Sequence, residues 1–115
     1  MHFQVRTDNH IKSSENFNDR LRGEVEGSLG ARFADRLRRV EVYLQDVNSH
    51  KGGADKRCSV EVHLAGLQPV VAHAQAADVD EAFSEALDKV LRALDHTLGR
   101  LDDRGGRISM SGEPT

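Results

Sequence analysis

Six histidines make a metal site the first chemistry to consider in this chain. His63 and His73 fall on two predicted neighbouring strands, where both side chains could share the polar face, with Glu61 nearby. Protein metal sites usually need three or four clustered ligands, and no cysteine or second acidic residue joins these three by spacing. We therefore predict no metal-binding residues.

The glycine and serine motifs do not match those of catalytic or phosphate-binding loops. The segment 27–30, Gly-Ser-Leu-Gly, lacks the G-x-S-x-G spacing of a nucleophile elbow and falls in a predicted helix. The glycine pairs at 52–53 and 105–106 lack the spacing and the Lys-Ser/Thr of a phosphate-binding loop. We therefore predict no catalytic residues, no cofactor and no small-molecule substrate.

A line of basic side chains on the predicted last helix, residues 79–101, offers a binding surface instead. At 100° per residue four side chains share one flank, named here the cationic ribbon: Lys89, Arg92, His96 and Arg100. Acidic residues crowd the adjoining arc: Glu81, Glu85, Asp88 and Asp95. One interpretation is a solvated face held by pairs four residues apart, Glu85–Lys89 and Asp88–Arg92. The other is a surface for nucleic-acid phosphates.

The charge balance limits how a nucleic acid could be held. The net charge at pH 7 is −3, so binding would depend on local basic patches and not on the field of the whole molecule. Lys56 and Arg57, at the exit of a predicted loop, form a second candidate patch. Tyr43 is the only aromatic residue predicted on the exposed face of the sheet, which disfavours stacking of bases across that face.

The length of 115 residues is enough for one domain with a single core. Cys58 is the only cysteine, so an intramolecular disulfide is impossible, and we interpret it as a small core residue in a reducing compartment. No apolar run approaches a membrane span, and the first ten residues are too polar for a secretory signal. We expect a cytoplasmic protein with no membrane partner, and the sequence leaves the oligomeric state open.

Hydrophobic spacing predicts the element order β-α-β-β-β-α. Four short segments alternate between apolar and polar residues, and the first helix carries an apolar residue at every fourth position from Phe17 to Leu29. Ser13 or Ser14 would cap that helix, and Gly30 would end it. The last helix carries an apolar stripe: Phe83, Leu87, Val90, Leu94, Leu98 and Leu101.

Each predicted strand has one apolar and one polar face, so helices can cover only one side of the sheet. A right-handed crossover places the first helix on that side, and the last helix must join it to bury its stripe. The predicted fold class is therefore α+β, a two-layer sandwich of a four-stranded sheet with two helices on one face. We place a single domain at residues 1–101 and predict that residues 102–115 form a disordered tail.

Several motifs in this order resemble those of one known family. They are Leu21-Arg22-x-x-Val25-x-x-x-Leu29, the strands VEVYL and KRCSVEVHLAG, and Asp88-Lys89-x-x-Arg92-x-Leu94. Over residues 1–101 the chain resembles the short form of the HPF/RaiA family, the ribosome hibernation promoting factors and ribosome-associated inhibitors of bacteria. The resemblance implies a fold similar to double-stranded-RNA-binding domains. It also implies a non-catalytic factor that binds the rRNA of the small ribosomal subunit near the decoding site and silences translation under stress.

The resemblance also implies which residues contact RNA. With Arg100 added from the cationic ribbon, they are Arg22, Lys56, Arg57, Lys89, Arg92 and Arg100. A basic position late in the first helix falls on Gly27-Ser28 here, and the Lys-rich end of the last helix is replaced by Asp95 and His96. Each lost phosphate contact weakens binding and lowers its salt dependence. The chain also lacks the second, dimerising domain of long family members, so we do not expect it to pair ribosomes by that route.

Two functions of different classes remain open. The first is an RNA-contacting ribosome factor. The second is a stress-related protein-interaction module on the same fold, whose acidic surface has lost the RNA partner. Co-sedimentation with ribosomes at low and high salt distinguishes them.

Overall fold

Alternating apolar and polar residues build four strands, and helical spacing builds the layer that covers them. The computed structural model describes residues 1–8, 14–47 and 56–106, with side chains as far as residue 99. The strands are β1 (His2–Thr7), β2 (Leu37–Asp46), β3 (Lys56–Leu64) and β4 (Val70–Ala76). The α-helices are α1 (Glu15–Val25), α2 (Ala31–Phe33) and α3 (Val79–Gly106).

The strands form one sheet in the order β1-β2-β3-β4. β1 pairs with β2 in parallel, because the helical connection between them returns the chain to the same end of the sheet. The β2–β3 and β3–β4 pairs are antiparallel. This arrangement confirms the predicted α+β sandwich.

The core lies between one face of the sheet and the helices. Val40, Val42 and Leu44 of β2 point into it, and so do alternate residues of β3, including Cys58. The stripe of α3 meets them, with these side chains buried: Phe83, Leu87, Val90 and Leu94. Leu98 is partly buried against the core, and the side chain of Leu101 lies outside the described residues. The stripe therefore faces a core, as predicted.

The first helix begins as predicted but does not end at Gly30. Ser14 is the N-cap, and its hydroxyl accepts a hydrogen bond from the Phe17 amide at 3.1 Å. Gly30 keeps helical angles, φ −63° and ψ −41°, so the chain passes through a π-helical turn (Glu26–Gly30) into α2. Helical geometry is lost only at Ala34, where φ is 45°. The extra turn buries Phe33, an apolar residue beyond the predicted end.

β2 begins earlier than its period-two pattern indicates. A 3-10 turn (Ala34–Arg36) leads directly into Leu37, and the register with β3 shifts between Leu37 and Arg39. This irregularity leaves two consecutive residues exposed, Arg38 and Arg39. The alternation of buried and exposed residues therefore begins only at Val40, three residues after the start of the strand.

α3 begins at a clear cap and extends past its predicted end. The Asp78 carboxylate accepts a hydrogen bond from the Glu81 amide at 2.8 Å. The backbone remains helical to Gly106, beyond the boundary predicted at residue 101, and residues 107–115 of the predicted tail lie outside the described residues. No helix within the described ranges is apolar over enough length to cross a membrane.

Candidate nucleic-acid interface

Two exposed ion pairs join the first helical segment of the chain to α3. Arg20 of α1 is 2.6 Å from Asp80 of α3, and Arg32 of α2 pairs with Asp95 of α3. The first pair joins the middle of α1 to the start of α3, and the second joins α2 to a later turn of α3, so the first helical segment and α3 run in the same direction. We call the two pairs the helix seam.

Arg22 lies on the flank of α1 that faces away from α3. It follows Arg20 by two residues, or about 200° around the helix, and Arg20 faces α3. The Arg22 Nε is 3.4 Å from the Glu26 carboxylate one turn later. Arg22 is therefore exposed, compensated in charge and distant from the cationic ribbon.

Lys89 lies on the flank of α3 opposite to the helix seam. It follows Asp80 by nine residues, which is about 180° around the helix. Its Nζ donates a hydrogen bond of 3.2 Å to the backbone carbonyl of His73 on β4. The predicted pair with Glu85 is wrong, because the Lys89 ammonium reaches over the edge of the sheet instead of along its own helix.

The remaining members of the cationic ribbon differ from Lys89 in their surroundings. Arg92 forms the predicted pair with Asp88, and both side chains are strongly exposed. His96 is exposed on the same flank. The side chain of Arg100 lies outside the described residues.

Lys56 and Arg57 are adjacent in sequence but occupy opposite faces of β3. The Lys56 Nζ is 3.4 Å from the Asp46 carboxylate on β2, and both side chains are half-buried. Arg57 lies on the face that carries no helix, opposite Gln45 and Gln75 in the neighbouring strands. Alternation along the strand therefore separates the two cations of this patch.

Arg57 and Lys89 meet at the outer edge of β4. A shallow recess of about 260 Å³ is lined by five residues, and we name it the β4-edge recess: Arg57, His73, Ala74, Gln75 and Lys89. None of these lining residues is acidic. In the described part of the chain neither Arg57 nor Lys89 forms an ion pair, whereas Arg22, Lys56 and Arg92 each do. Of the predicted RNA-contacting residues, the structure brings these two together.

The uncovered sheet face carries a second, mixed surface. One row across the strands is Arg6, Tyr43, Ser59 and His73, and these residues line a depression together with Glu41, Glu61 and Val71. Tyr43 is 39% exposed there. Because two carboxylates line this depression, it suits phosphates less well than the β4-edge recess does.

The histidines of this face hydrogen-bond to separate partners. His63 Nε2 is 2.8 Å from the Glu61 carboxylate, and His73 Nδ1 is 2.8 Å from the Ser59 hydroxyl. Among the residues that the structure describes, no three His, Cys, Asp or Glu side chains are placed to hold a metal ion. Sequence reasoning considered His73 only as a metal ligand and missed its place beside Arg57 and Lys89.

Cys58 is a core residue, as its alternation predicts. Its side chain is fully buried. Burial raises the pKa of the thiol to about 12, so the thiolate does not form near neutral pH. Cys58 therefore offers the surface no nucleophile.

Comparison with known proteins identifies the family of this fold. A ribosomal subunit interface protein from Coxiella burnetii is 16% identical, covers 86% of this chain and 99% of its own, and superposes with a TM-score of 0.68. The N-terminal domain of Protein Y from Thermus thermophilus is 19% identical, with coverages of 84% and 99% and a TM-score of 0.66. These likenesses show the fold, and no curated protein sequence gives a significant match. Residues 4–102 match the family described as sigma 54 modulation protein / S30EA ribosomal protein, and the chain therefore belongs to this family.

Proposed function

We propose that this chain is a non-catalytic ribosome-associated factor of the cytoplasm that binds the small subunit near the decoding site. The observation that carries the proposal is the family match over residues 4–102, nearly all of the predicted domain. A structural neighbour over almost its whole length is a ribosomal subunit interface protein. The contact at the small subunit would be made with rRNA.

Charge explains how an acidic protein could bind a polyanion. The net charge of −3 repels RNA at a distance, so affinity must come from places where positive charge is left uncompensated. Arg57 and Lys89 provide such a place, because none of the residues that line their recess is acidic. Phosphate oxygens are the acceptors that such a pair of cations fits.

The other predicted contacts would act as secondary ones. The pairs of Arg22 with Glu26 and of Arg92 with Asp88 are exposed, and exposed pairs contribute roughly 0–1 kcal/mol. Either arginine can therefore exchange its carboxylate for a phosphate at small cost. Lys56 is half-buried against Asp46 and is the least available of the group.

Silencing of translation would follow from occupancy alone. A folded domain that lies where mRNA and tRNA bind excludes both, and no bond has to be made or broken. Release by competing ligands or by higher salt would restore the ribosome, because phosphate contacts weaken as salt rises. We place the binding function within residues 1–101.

Sedimentation tests this proposal directly. Tagged protein in lysate from stationary-phase cells is run on sucrose gradients at low and high salt. We expect it to move with the small subunit at low salt and to be released at high salt, and purified small subunits with added protein should lose mRNA and tRNA binding. Absence from all ribosomal fractions at low salt would contradict the proposal and favour the protein-interaction module.

A further inference from the structure

We propose that the β4-edge recess is a binding pocket for a single phosphate group, held jointly by Arg57 and Lys89 with His73 as a third donor. The pocket is defined by the free protein, and the identification of its natural ligand as an RNA phosphate rests on the proposed function. His73 belongs to neither of the motifs that contain Arg57 and Lys89, and neither motif predicts that the two cations line one recess.

The position of Lys89 is fixed by the backbone of a different element. Its Nζ donates to the His73 carbonyl at 3.2 Å. An ammonium group has three N–H donors, so two remain for a ligand. A lysine held in this way loses less side-chain freedom on binding than a freely rotating one does.

Arg57 approaches the same space from the uncovered face of the sheet. It pairs in register with Gln75 of β4, one residue pair away from the Ala74 position and two from His73. Its side chain is half-buried, and no described carboxylate pairs with it. A guanidinium carries five N–H donors in a planar fork that matches two oxygens of a phosphate.

His73 supplies the third donor. Its Nδ1 is 2.8 Å from the Ser59 hydroxyl. When that hydroxyl donates to Nδ1, the neutral ring carries its proton on Nε2, which can then donate to a ligand. Residues of β3, β4 and α3 thus line one recess, and a tetrahedral oxyanion held there can accept hydrogen bonds from several directions.

The positive charge of the residues that line the recess favours an anionic ligand. The five lining residues include two permanent cations and no carboxylate. The recess is shallow and its volume of about 260 Å³ leaves room for a phosphate group and its bridging waters. The neighbouring depression carries Glu41 and Glu61, so an incoming phosphate is favoured at the edge of the sheet and not at its centre.

The first test measures the pocket in the free protein. Inorganic tripolyphosphate is titrated into isotope-labelled wild type, and NMR shifts are followed at the Arg57 side chain, the His73 ring and the Ala74 amide. We expect saturable shifts centred on these groups, and their loss in Arg57→Ala/Lys89→Ala with an unchanged fold by circular dichroism. Shifts spread evenly over all surface cations, or none at millimolar ligand, would overturn the pocket.

The second test asks whether the two cations share one phosphate on the ribosome. Dissociation constants for purified small subunits are measured for Arg57→Ala, Lys89→Ala and the double variant. Each single change should weaken binding about tenfold. If the two losses were independent, the double variant would bind about a hundredfold more weakly than wild type. We expect a loss well below this product, because the second substitution removes a contact that the first has already broken. Its salt slope should drop by about one phosphate, not two.

A matched pair controls for the removal of charge. Arg57→Ala with Arg92→Ala deletes the same two charges, but Arg92 lies outside the recess and pairs with Asp88. In this control double variant, the losses of affinity from the two single substitutions should multiply. Multiplying losses in the Arg57/Lys89 pair as well would overturn the shared pocket. Failure of wild type to bind small subunits, together with a positive tripolyphosphate titration, would reject the proposed function and leave the pocket standing.

Discussion

The helix seam and the β4-edge recess each contain two cations, but among the described residues only those of the recess have no carboxylate partner. At the seam, Arg20 and Arg32 pair with the carboxylates of Asp80 and Asp95, so their charge is compensated at the surface of the molecule. At the recess, Arg57 and Lys89 converge without a described carboxylate. A count of basic residues would rank the two regions equally. The cations of the recess can meet a phosphate without giving up a described carboxylate, whereas those of the seam must first leave one.

Reversal of charge on the cationic ribbon should have the largest effect. Lys89→Glu with Arg92→Glu should weaken association with the small subunit by at least about a hundredfold, because two attractions become repulsions. Sedimentation at low salt measures the loss, and a thermal melt should show that the fold survives, since both side chains are exposed. An unchanged gradient profile would reject this surface.

Packing beneath α3 provides a contrasting change. Leu94 is 1% exposed, and Leu94→Ala should cost on the order of 2–5 kcal/mol of unfolding free energy, measured in urea. The folded fraction should bind small subunits as wild type does, because no charge is altered. A cost below about half a kcal/mol, for this variant and for Leu87→Ala, would mean that the stripe does not seat α3 on the sheet.

The helix seam should respond in stability and not in binding. Arg20→Gln with Arg32→Gln removes two exposed pairs, each of which contributes roughly 0–1 kcal/mol. Affinity for small subunits should stay within about twofold of wild type if these charges are compensated in the native protein. A loss of affinity as large as that expected for Arg57→Ala would show that the seam cations contact the small subunit as the recess cations do.

The buried Cys58 thiol reports on the packing of β3 against the helices. Burial raises the pKa of this thiol from 9.0 to about 12, so burial of the neutral thiol stabilises the fold below pH 9 and this contribution is lost as pH rises toward 12. At pH 8 a thiol reagent should react only as fast as the protein opens. Fast labelling of native protein would show that β3 is not held against the helices.

Removal of the tail should have the smallest effect. A chain that ends at Asp102 should keep its melting temperature and its affinity, because both regions compared here lie before that residue. A clear fall in the melting temperature would show that residues after 102 take part in the packed domain.

The fold was predictable because its signals are local. The stripe from Phe83 to Leu98 and the alternation in β3 each depend on residues a few positions apart, and both were confirmed. The end of the first helix was not, since Gly30 resembles a stop yet keeps helical angles in a π-helical turn. A glycine permits a left-handed cap but does not require one.

The candidate site was predictable only in its parts. The motifs of the third strand and the last helix single out Arg57 and Lys89, but no local pattern places the two residues together. Their meeting depends on the register of β3 with β4 and on which flank of α3 faces the sheet edge. The spacing rule for helices favoured Glu85 as the partner of Lys89, and a backbone carbonyl on another element replaced it.

Lys89 also affects whether another chain can add a strand to the outer edge of the sheet. β4 is an outer strand of the sheet, and such strands can recruit a further strand from another chain. A fifth strand on β4 would have to displace the Lys89 ammonium from the His73 carbonyl and remove its charge from water. The residue that we propose for phosphate thus also disfavours extension of the sheet at this edge in the free protein.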